Sequence, residues 1–303
     1  MTVPAKKSPF APDLLAGKRI LITGGGTGLG RGVARHLVEH GADVHLWGRR
    51  QNVLDEAAEE ASASRPGSVH VQTVNVRDGD EVDAAMGRLW DEHGALTGVV
   101  NNAAANFIAP TESLSPRAFE AVTSTVMKGS FHTTHAAGRR WIAAGLPGSV
   151  LSTLTTWVWT GSAFVTPSAM AKAAVHSMTM SLAVEWAKHG IRLNALAPGP
   201  IPTDYAWDML NPTDKSAVGA TQADQIPMGR MGTVDELAHL TMFLLSDACD
   251  YLTGQTIAMD GGQMLAGPGT FAGLTSLTAE DWAEAREKSQ AASAASKAQR
   301  TGS

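Results

Sequence analysis

The sequence predicts an α/β fold: a doubly wound parallel sheet of about seven strands in a single domain. Three observations carry this. Short apolar runs of strand length alternate with longer amphipathic runs along most of the chain. The intervals between the short runs are long enough for helical crossovers, the connection that parallel strands require. At 303 residues, 44% hydrophobic and 17% charged, the chain has the length and composition to bury one large core.

The elements follow in order. An N-terminal arm, 1–14, leads to a first strand, "RILIT" (19–23), which is apolar and carries two β-branched isoleucines. A glycine-rich turn then opens a helix over 29–40. "DVHLW" (43–47) is the second strand, with a helix over 51–63 behind it, and "VHVQTV" (69–74) is the third. A helix over 79–93 leads to "GVVN" (98–101), and a long helical pattern over 116–144 leads to "SVLST" (149–153). The helical stretch 163–189 precedes "RLNAL" (192–196), and the helix 233–246 precedes "QTIAM" (255–259). Residues 15–266 therefore read as one Rossmann-type domain without internal repeats. The extension 267–303 ends in "SQAASAASKAQRTGS", low in large apolar side chains, and is expected to fray.

Composition narrows the classes of function. A formal net charge of −5 with no basic patch gives nucleic-acid binding no electrostatic support. The single cysteine, Cys249, cannot form an internal disulfide, which fits a reducing, cytoplasmic setting; it reads as a buried helix residue. The N-terminus lacks the apolar core of a signal peptide. Residues 141–171 carry no charge, but Gly145, Pro147, Gly148, Gly161 and Pro167 interrupt them, so they read as a buried strand and a site-lining loop, not a membrane span.

The segment "LITGGGTGLGRGVARHL" sets Gly24, Gly28 and Gly30 directly after a strand and at the start of a helix. Glycines there let the chain turn sharply and bring a pyrophosphate close to backbone N–H groups at a helix N-terminus, so Gly24, Gly26, Thr27, Gly28, Leu29 and Gly30 are expected to hold a dinucleotide. The second strand ends "LWGRR". Where an acid usually holds the ribose hydroxyls of NAD, this chain has Gly48, Arg49 and Arg50. A guanidinium grips a 2′-phosphate and stacks on adenine, so the expected cofactor is NADP(H). In "FVTPSAMAKAA" (164–174), Ser168 precedes Lys172 by one helical turn, which puts both on one helix face.

The spacing Thr23-Gly24-x3-Gly28-x-Gly30, then "NNAAA" (101–105), Lys172 and "NALAPGPI" (194–201), resembles the short-chain dehydrogenase/reductase family from about Leu15 to Asp281. The resemblance implies that Asn102 and Ala103 end the fourth strand beside the cofactor, that Asn75 and Val76 lie at the adenine, and that Lys172 holds the nicotinamide ribose. It also implies that Pro198, Gly199 and Ile201 cover the nicotinamide. The segments "TGGGTGLGRG", "GRRQNVLDEAAEE", "NNAAANFIAPTESLSP", "TGSAFVTPSAMAKA" and "APGPIPTD" are similar to the NADPH-dependent 2,4-dienoyl-CoA reductases of that family. That branch also has serine before the lysine, matching Ser168. It implies that Asn106 binds a thioester carbonyl, that Arg77 lies near coenzyme A, and that Phe107 and Trp157 border the substrate. Homotetramers form in the family through the helices corresponding to 116–144 and 163–189, where Ala169, Ala173 and Ala174 either permit close packing between subunits or face this chain's own core.

The departures bear on mechanism. Trp157 stands where mitochondrial relatives keep a proton-donating tyrosine, and the helix around Ser124–Val126 lacks the aspartate of the peroxisomal ones. Lys128 stands at the helix asparagine of many family members, and Asn75 replaces an adenine-contacting aspartate. A serine hydroxyl is too weak an acid to serve an alkoxide alone, whereas an enolate carbon takes its proton from water. The expected activity is therefore reduction of a conjugated C=C in an unsaturated acyl thioester, a 2,4-dienoyl-CoA or enoyl-CoA. The expected catalytic set is Lys172, Ser168 and Asn106; Trp157 reads either as a flat wall for the substrate or as core packing, and Lys128 either as a solvated helix charge or, directed into the cleft, as an anion binder or proton relay. A carbonyl or imine reductase with a rearranged acid is one alternative. A catalytically impaired NADP-binding protein is another. Tyr205 follows the cofactor-covering loop, and His132 and His135 lack a third ligand, so no metal is expected. The expected partner is a small molecule, such as an acyl-CoA, with neither nucleic acid nor membrane involved.

Overall fold

The computed structural model describes residues 8–65, 68–106, 108–203 and 223–267, and beyond these 278–281, 283, 284 and 287. The chain divides into two units, Met1–Gln263 and Met264–Ser303. In the second, Thr278 and Asp281 cap each other: Asp281 accepts from the backbone N–H and hydroxyl of Thr278 at 2.8 and 2.9 Å, and its own N–H donates back at 3.2 Å.

The first unit is built on one sheet of seven parallel strands: β1 (Arg19–Thr23), β2 (Asp43–Gly48), β3 (Val69–Thr73), β4 (Gly98–Asn101), β5 (Gly148–Thr153), β6 (Ile191–Pro198) and β7 (Thr256–Met259). Their order is β3-β2-β1-β4-β5-β6-β7. The crossovers supply α1 (Gly28–Glu39), α2 (Gln51–Ser62), α3 (Gly79–His93), α4 (Pro116–Thr123), α5 (Gly129–Ala144), α6 (Trp157–Thr160), α7 (Thr166–Trp186) and α8 (Val234–Leu245). The seven strands and six long helical stretches sit where the sequence places them, within a few residues at each end.

Alternation along the strands divides the core between the two sheet faces. Ile20, Ile22, Val44, Leu46, Val100 and Leu151 enter one buried cluster with α1, α2 and α8. Leu21, Trp47, Val99 and Val150 enter the other with α3 and α5. Each large side chain so buried contributes about 1.5–3 kcal/mol, and truncating one costs about 2–5 kcal/mol because a cavity remains. Cys249 is buried, as expected, though in the short turn after α8; burial raises its thiol pKa. Among the described residues no helix is long and apolar enough to cross a membrane.

Two local features differ from the sequence expectation. The helical run 116–144 is interrupted by a π turn, Ser124–Lys128, between α4 and α5. Within the stretch read as a site-lining loop after the fifth strand, Trp157–Thr160 forms the single-turn helix α6. Gly161, with φ +67°, ends it and donates back to the Trp157 carbonyl at 2.9 Å.

Candidate active site

The strand order reverses direction at β1, with β2 on one side and β4 on the other, and the crevice beyond the C-terminal ends of such strands is where open α/β sheets bind ligands. The glycine turn is built there. Gly24 has φ +66°, which a side chain rarely tolerates. A Cβ on Gly30 would lie 2.5 Å from the Gly24 carbonyl oxygen and 2.6 Å from Asn102 Nδ2. Only glycine lets α1 begin so close to the turn. Thr27, the residue before α1, makes no side-chain cap, and no acid occupies the first turn. The free N–H groups and the helix dipole suit an anion.

The end of β4 braces this turn. The Thr23 hydroxyl accepts the N–H groups of Asn102 and Ala103 at 3.1 and 3.0 Å, and the Asn102 side chain donates to the carbonyls of Thr23 and Gly24 at 3.1 and 3.2 Å. Asn102 thus holds the phosphate-binding turn in place. Beneath it Asn101, buried, donates to Thr134 at 2.8 Å and Ser152 at 3.4 Å.

Arg49 and Arg50 are exposed just past β2, and among the described residues neither side chain has an ion pair or hydrogen bond. Nothing competes for them. At the end of β3, Asn75 accepts the Arg77 N–H at 3.3 Å and gives its own N–H to Glu81 at 2.9 Å. Val76 is buried, and its carbonyl is 3.0 Å from His132 Nδ1. Arg77 is exposed. At the end of β6, Pro198 leads to Gly199, whose N–H donates to the Met259 carbonyl at 3.0 Å and where a Cβ would come within 2.7 Å of Asp260. Ile201 packs at the edge of the core, and a Cβ on Gly28 would meet the Thr203 hydroxyl at 3.4 Å.

Ser168 and Lys172 are one turn apart on α7 and both buried, at 4% and 8% exposure. The Lys172 ammonium donates to the Thr153 carbonyl at the end of β5. Burial lowers its pKa to about 8, because a low-dielectric site disfavours the charged form. Ser168 makes no side-chain hydrogen bond among the described residues. The loop carrying half-buried Asn106 is tied to the start of α7: the Ala109 N–H donates to the Phe164 carbonyl at 3.0 Å, and the hydroxyls of Thr111 and Thr166 lie 2.9 Å apart. Ala105 and Ala171, the sequence neighbours of Asn106 and Lys172, share a small apolar cluster with Val122 and Val126. The glycine turn, the Asn106 loop and the Lys172 helix therefore converge on the ends of β1, β4 and β5.

Other expected site residues are placed differently. Lys128 is exposed and paired with Glu120 at 2.6 Å, so it does not turn into the cleft; the π turn buries Val126 against Ala171 and leaves Lys128 in solvent. Trp157 is half-buried at the start of α6, which packs on α7. Trp159 is exposed, edge-on to His176 at 5.9 Å. Phe107 and Tyr205 lie outside the described residues. His132 bonds Val76, and His135 stacks on Phe131 at 5.6 Å. Phe164, which carries no sequence signal of its conformation, is the one non-glycine residue with positive φ among the described residues (+65°) and is 55% exposed beside the α7 start. A bulky side chain in that conformation is strained and marks functional loops. The role of Thr153 is likewise invisible in the sequence, since a backbone acceptor leaves no side-chain signature.

Residues 24–264 match the family described as Enoyl-(Acyl carrier protein) reductase. An uncharacterized oxidoreductase of Caenorhabditis elegans is 40% identical over 92% of this chain and 90% of that protein. A probable 2,4-dienoyl-CoA reductase of Bacillus subtilis is 39% identical over 82% of this chain and 97% of its own length. Among solved structures, a gluconate 5-dehydrogenase from Burkholderia cenocepacia, in complex with NADP and tartrate, superimposes with a TM-score of 0.76 at 30% identity, covering 84% of this chain and 98% of that one. With this sheet order, this glycine turn and this buried lysine, the chain belongs to the short-chain dehydrogenase/reductase family of oxidoreductases, among relatives of enoyl-reductase type.

Proposed function

We propose that this chain is an NADPH-dependent reductase of a conjugated C=C in an unsaturated acyl thioester, of the 2,4-dienoyl-CoA or enoyl-CoA type. One observation carries the reading: buried Lys172 is preceded by a buried serine hydroxyl, not a phenol, one turn earlier. The likeness to the Bacillus subtilis reductase supports the substrate class, and the bound NADP of the gluconate 5-dehydrogenase supports the cofactor.

The residues fit a dinucleotide. Gly26, Thr27, Gly28, Leu29 and Gly30 bring backbone N–H groups to a pyrophosphate at an uncapped helix start, and Gly24, whose own N–H donates to the Trp47 carbonyl at 2.8 Å, makes the turn that lets it approach. Arg49 pairs with the 2′-phosphate and Arg50 lies against the adenine, with Asn75 and Val76 at its edge. Asn102, Ala103, Pro198, Gly199 and Ile201 line the nicotinamide end, and the Lys172 ammonium holds the ribose. A bound reduced nicotinamide supplies the hydride.

Asn106 and Ser168 orient the thioester oxygen and stabilise the negative charge that collects there as the enolate forms. Water delivers the proton to carbon. Trp157 and Phe107 border the acyl chain, and Arg77 lies toward the coenzyme A phosphates. Phe131 on α5 and Met170, Met180 and Val184 on α7 are exposed, and they support assembly through these helices as a homotetramer.

The test is NADPH oxidation against a panel of enoyl-CoA, dienoyl-CoA, ketone and imine substrates. Turnover confined to the thioesters supports the reading. Ready reduction of ketones with no thioester turnover overturns it in favour of a carbonyl reductase.

A further inference from the structure

We propose that His45, His70 and His93 form a binding site for one divalent transition-metal ion of the zinc class, on the β2–β3 edge of the sheet and outside the site described above. It is distinct from the His132–His135 pair on α5, and sequence spacing gives no sign of it. His45 on β2 is in register with His70 on the neighbouring β3, so both side chains leave the same face. That face is covered by α3, whose Val82, Ala85, Met86 and Leu89 pack with Trp47, and His93 is its last residue.

The three rings meet. Their centroids are 4.9 Å apart for His45 with His70, 4.9 Å for His45 with His93, and 4.1 Å for His70 with His93. One ligand nitrogen from each lies within 4.8 Å of the others. Zinc–imidazole bonds of about 2.0–2.1 Å set tetrahedral nitrogens roughly 3.4 Å apart. Closing the difference takes side-chain rotations that move the ligand nitrogens by up to roughly 1.4 Å, which half-buried His70 and His93 can make. His45 is buried, and its Nε2 has no hydrogen-bond partner, a situation that coordination would relieve.

The cluster opens on a cleft of about 120 Å³ that Glu92 also lines, and Glu92 Oε2 is 3.8 Å from His93 Nε2. Three imidazoles with a carboxylate or water in the fourth position is a ligand set that zinc, copper or nickel prefers and that calcium and magnesium do not. Arg88 on the cleft wall and Arg19 near His45 and His70 oppose a cation, while Glu92 and Asp43 offset them. Bound there, the ion clips the edge strand β3 to β2 and to the end of α3.

The test uses the full chain, stripped with a chelator and titrated calorimetrically with Zn²⁺ at neutral pH. Wild type and the distant control His132→Ala are expected to take up one equivalent, and Co²⁺ in its place should give the visible absorption of a tetrahedral site. His70→Ala and His93→Ala should each weaken binding by at least about tenfold. His93→Gln, which keeps the bulk of the side chain, decides the matter should an alanine variant fail to unfold cooperatively. No Zn²⁺ uptake by the wild type, or uptake unchanged in the His70 and His93 variants, overturns the proposal.

Discussion

The Lys172 ammonium, buried within α7, donates to the main-chain carbonyl of Thr153 at the end of β5. A helix from one crossover is thereby pinned to the strand end that the active site needs. The bond satisfies one of three ammonium protons, and burial lowers the pKa from 10.5 to about 8.

A pH dependence follows. Below about pH 8 the lysine is charged in both the folded and unfolded chain, and the fold bears the desolvation of that charge. Between about 8 and 10.5 the unfolded chain keeps the proton and the folded chain does not, so this group's contribution to stability rises with pH across that window. The shift corresponds to about 3 kcal/mol, less about 1 kcal/mol for the hydrogen bond to Thr153. Lys172→Met should therefore gain roughly 2 kcal/mol at neutral pH in urea unfolding of the cofactor-free protein, and should lose turnover. The wild-type kcat/KM should fall as pH rises through about 8, as the ammonium loses its proton. A variant less stable than wild type at neutral pH would contradict the buried-charge account.

Arg49 has no partner among the described residues, and no acid stands beside it to repel a phosphate. NADPH should bind more tightly than NADH, and Arg49→Ala should remove about 10–100-fold of that preference, the range for a charge-assisted bond. Titration of both nucleotides against both proteins measures it. Equal wild-type affinities would sink the NADP(H) assignment.

Gly30→Ala forces a Cβ into the space held by the Gly24 carbonyl and Asn102. Backbone must move, at about 1–3 kcal/mol, and the turn it moves is the one assigned to the pyrophosphate. Nucleotide affinity should drop more than thermal stability does. A fully stable variant with unaltered affinity would show that the turn is not the binding element.

Much of this was legible in the sequence. Strands buried on both faces read as short apolar runs, and the glycines, Lys172 and Arg49 each carry a local chemical signature. The π turn at Ser124–Lys128 was not legible, because one extra residue in a helical run barely alters its periodicity. The single-turn helix at Trp157–Thr160 was not legible either, because four residues are too few to show a helical period. His45, His70 and His93 are far apart in the chain and meet only through strand register and the packing of α3.

Glu236 should contribute a small, resolvable part of the acid limit of stability. It closes a capping box with Thr233 at the start of α8 and pairs with Arg230 at 2.6 Å, which holds its pKa at about 2 instead of 4.5. A depressed carboxylate stabilises the fold above its unfolded pKa and loses that contribution as pH falls toward the folded value. Here the loss should run from about pH 4.5 down to 2. The pair is more than a third exposed, so solvent screening keeps its share small. Thr233→Ala should cost about 1 kcal/mol through the lost cap at neutral pH. Glu236→Gln should flatten the acid limb of chemical unfolding measured across that range. An unchanged limb would place the acid sensitivity elsewhere.

Ser168 tests the chemistry itself. Its hydroxyl is buried one turn from Lys172 and has no side-chain partner among the described residues, so it is available to a substrate oxygen. A serine cannot act as the acid that a phenol provides, because its hydroxyl holds the proton far more tightly. If Ser168 only helps to orient and polarise a thioester, Ser168→Ala removes one of two donors and Asn106 remains. Single-turnover reduction of a dienoyl-CoA or enoyl-CoA should then slow by about 10–100-fold without being abolished, the effect of losing one hydrogen-bond donor to developing charge. Asn106→Ala should slow it comparably, and the double variant should fall well below either. Tyr205→Phe should be nearly silent, since the proton comes from water. Complete loss in Tyr205→Phe would place the acid on that residue, and complete loss in Ser168→Ala alone would make the serine indispensable, against the role assigned to it.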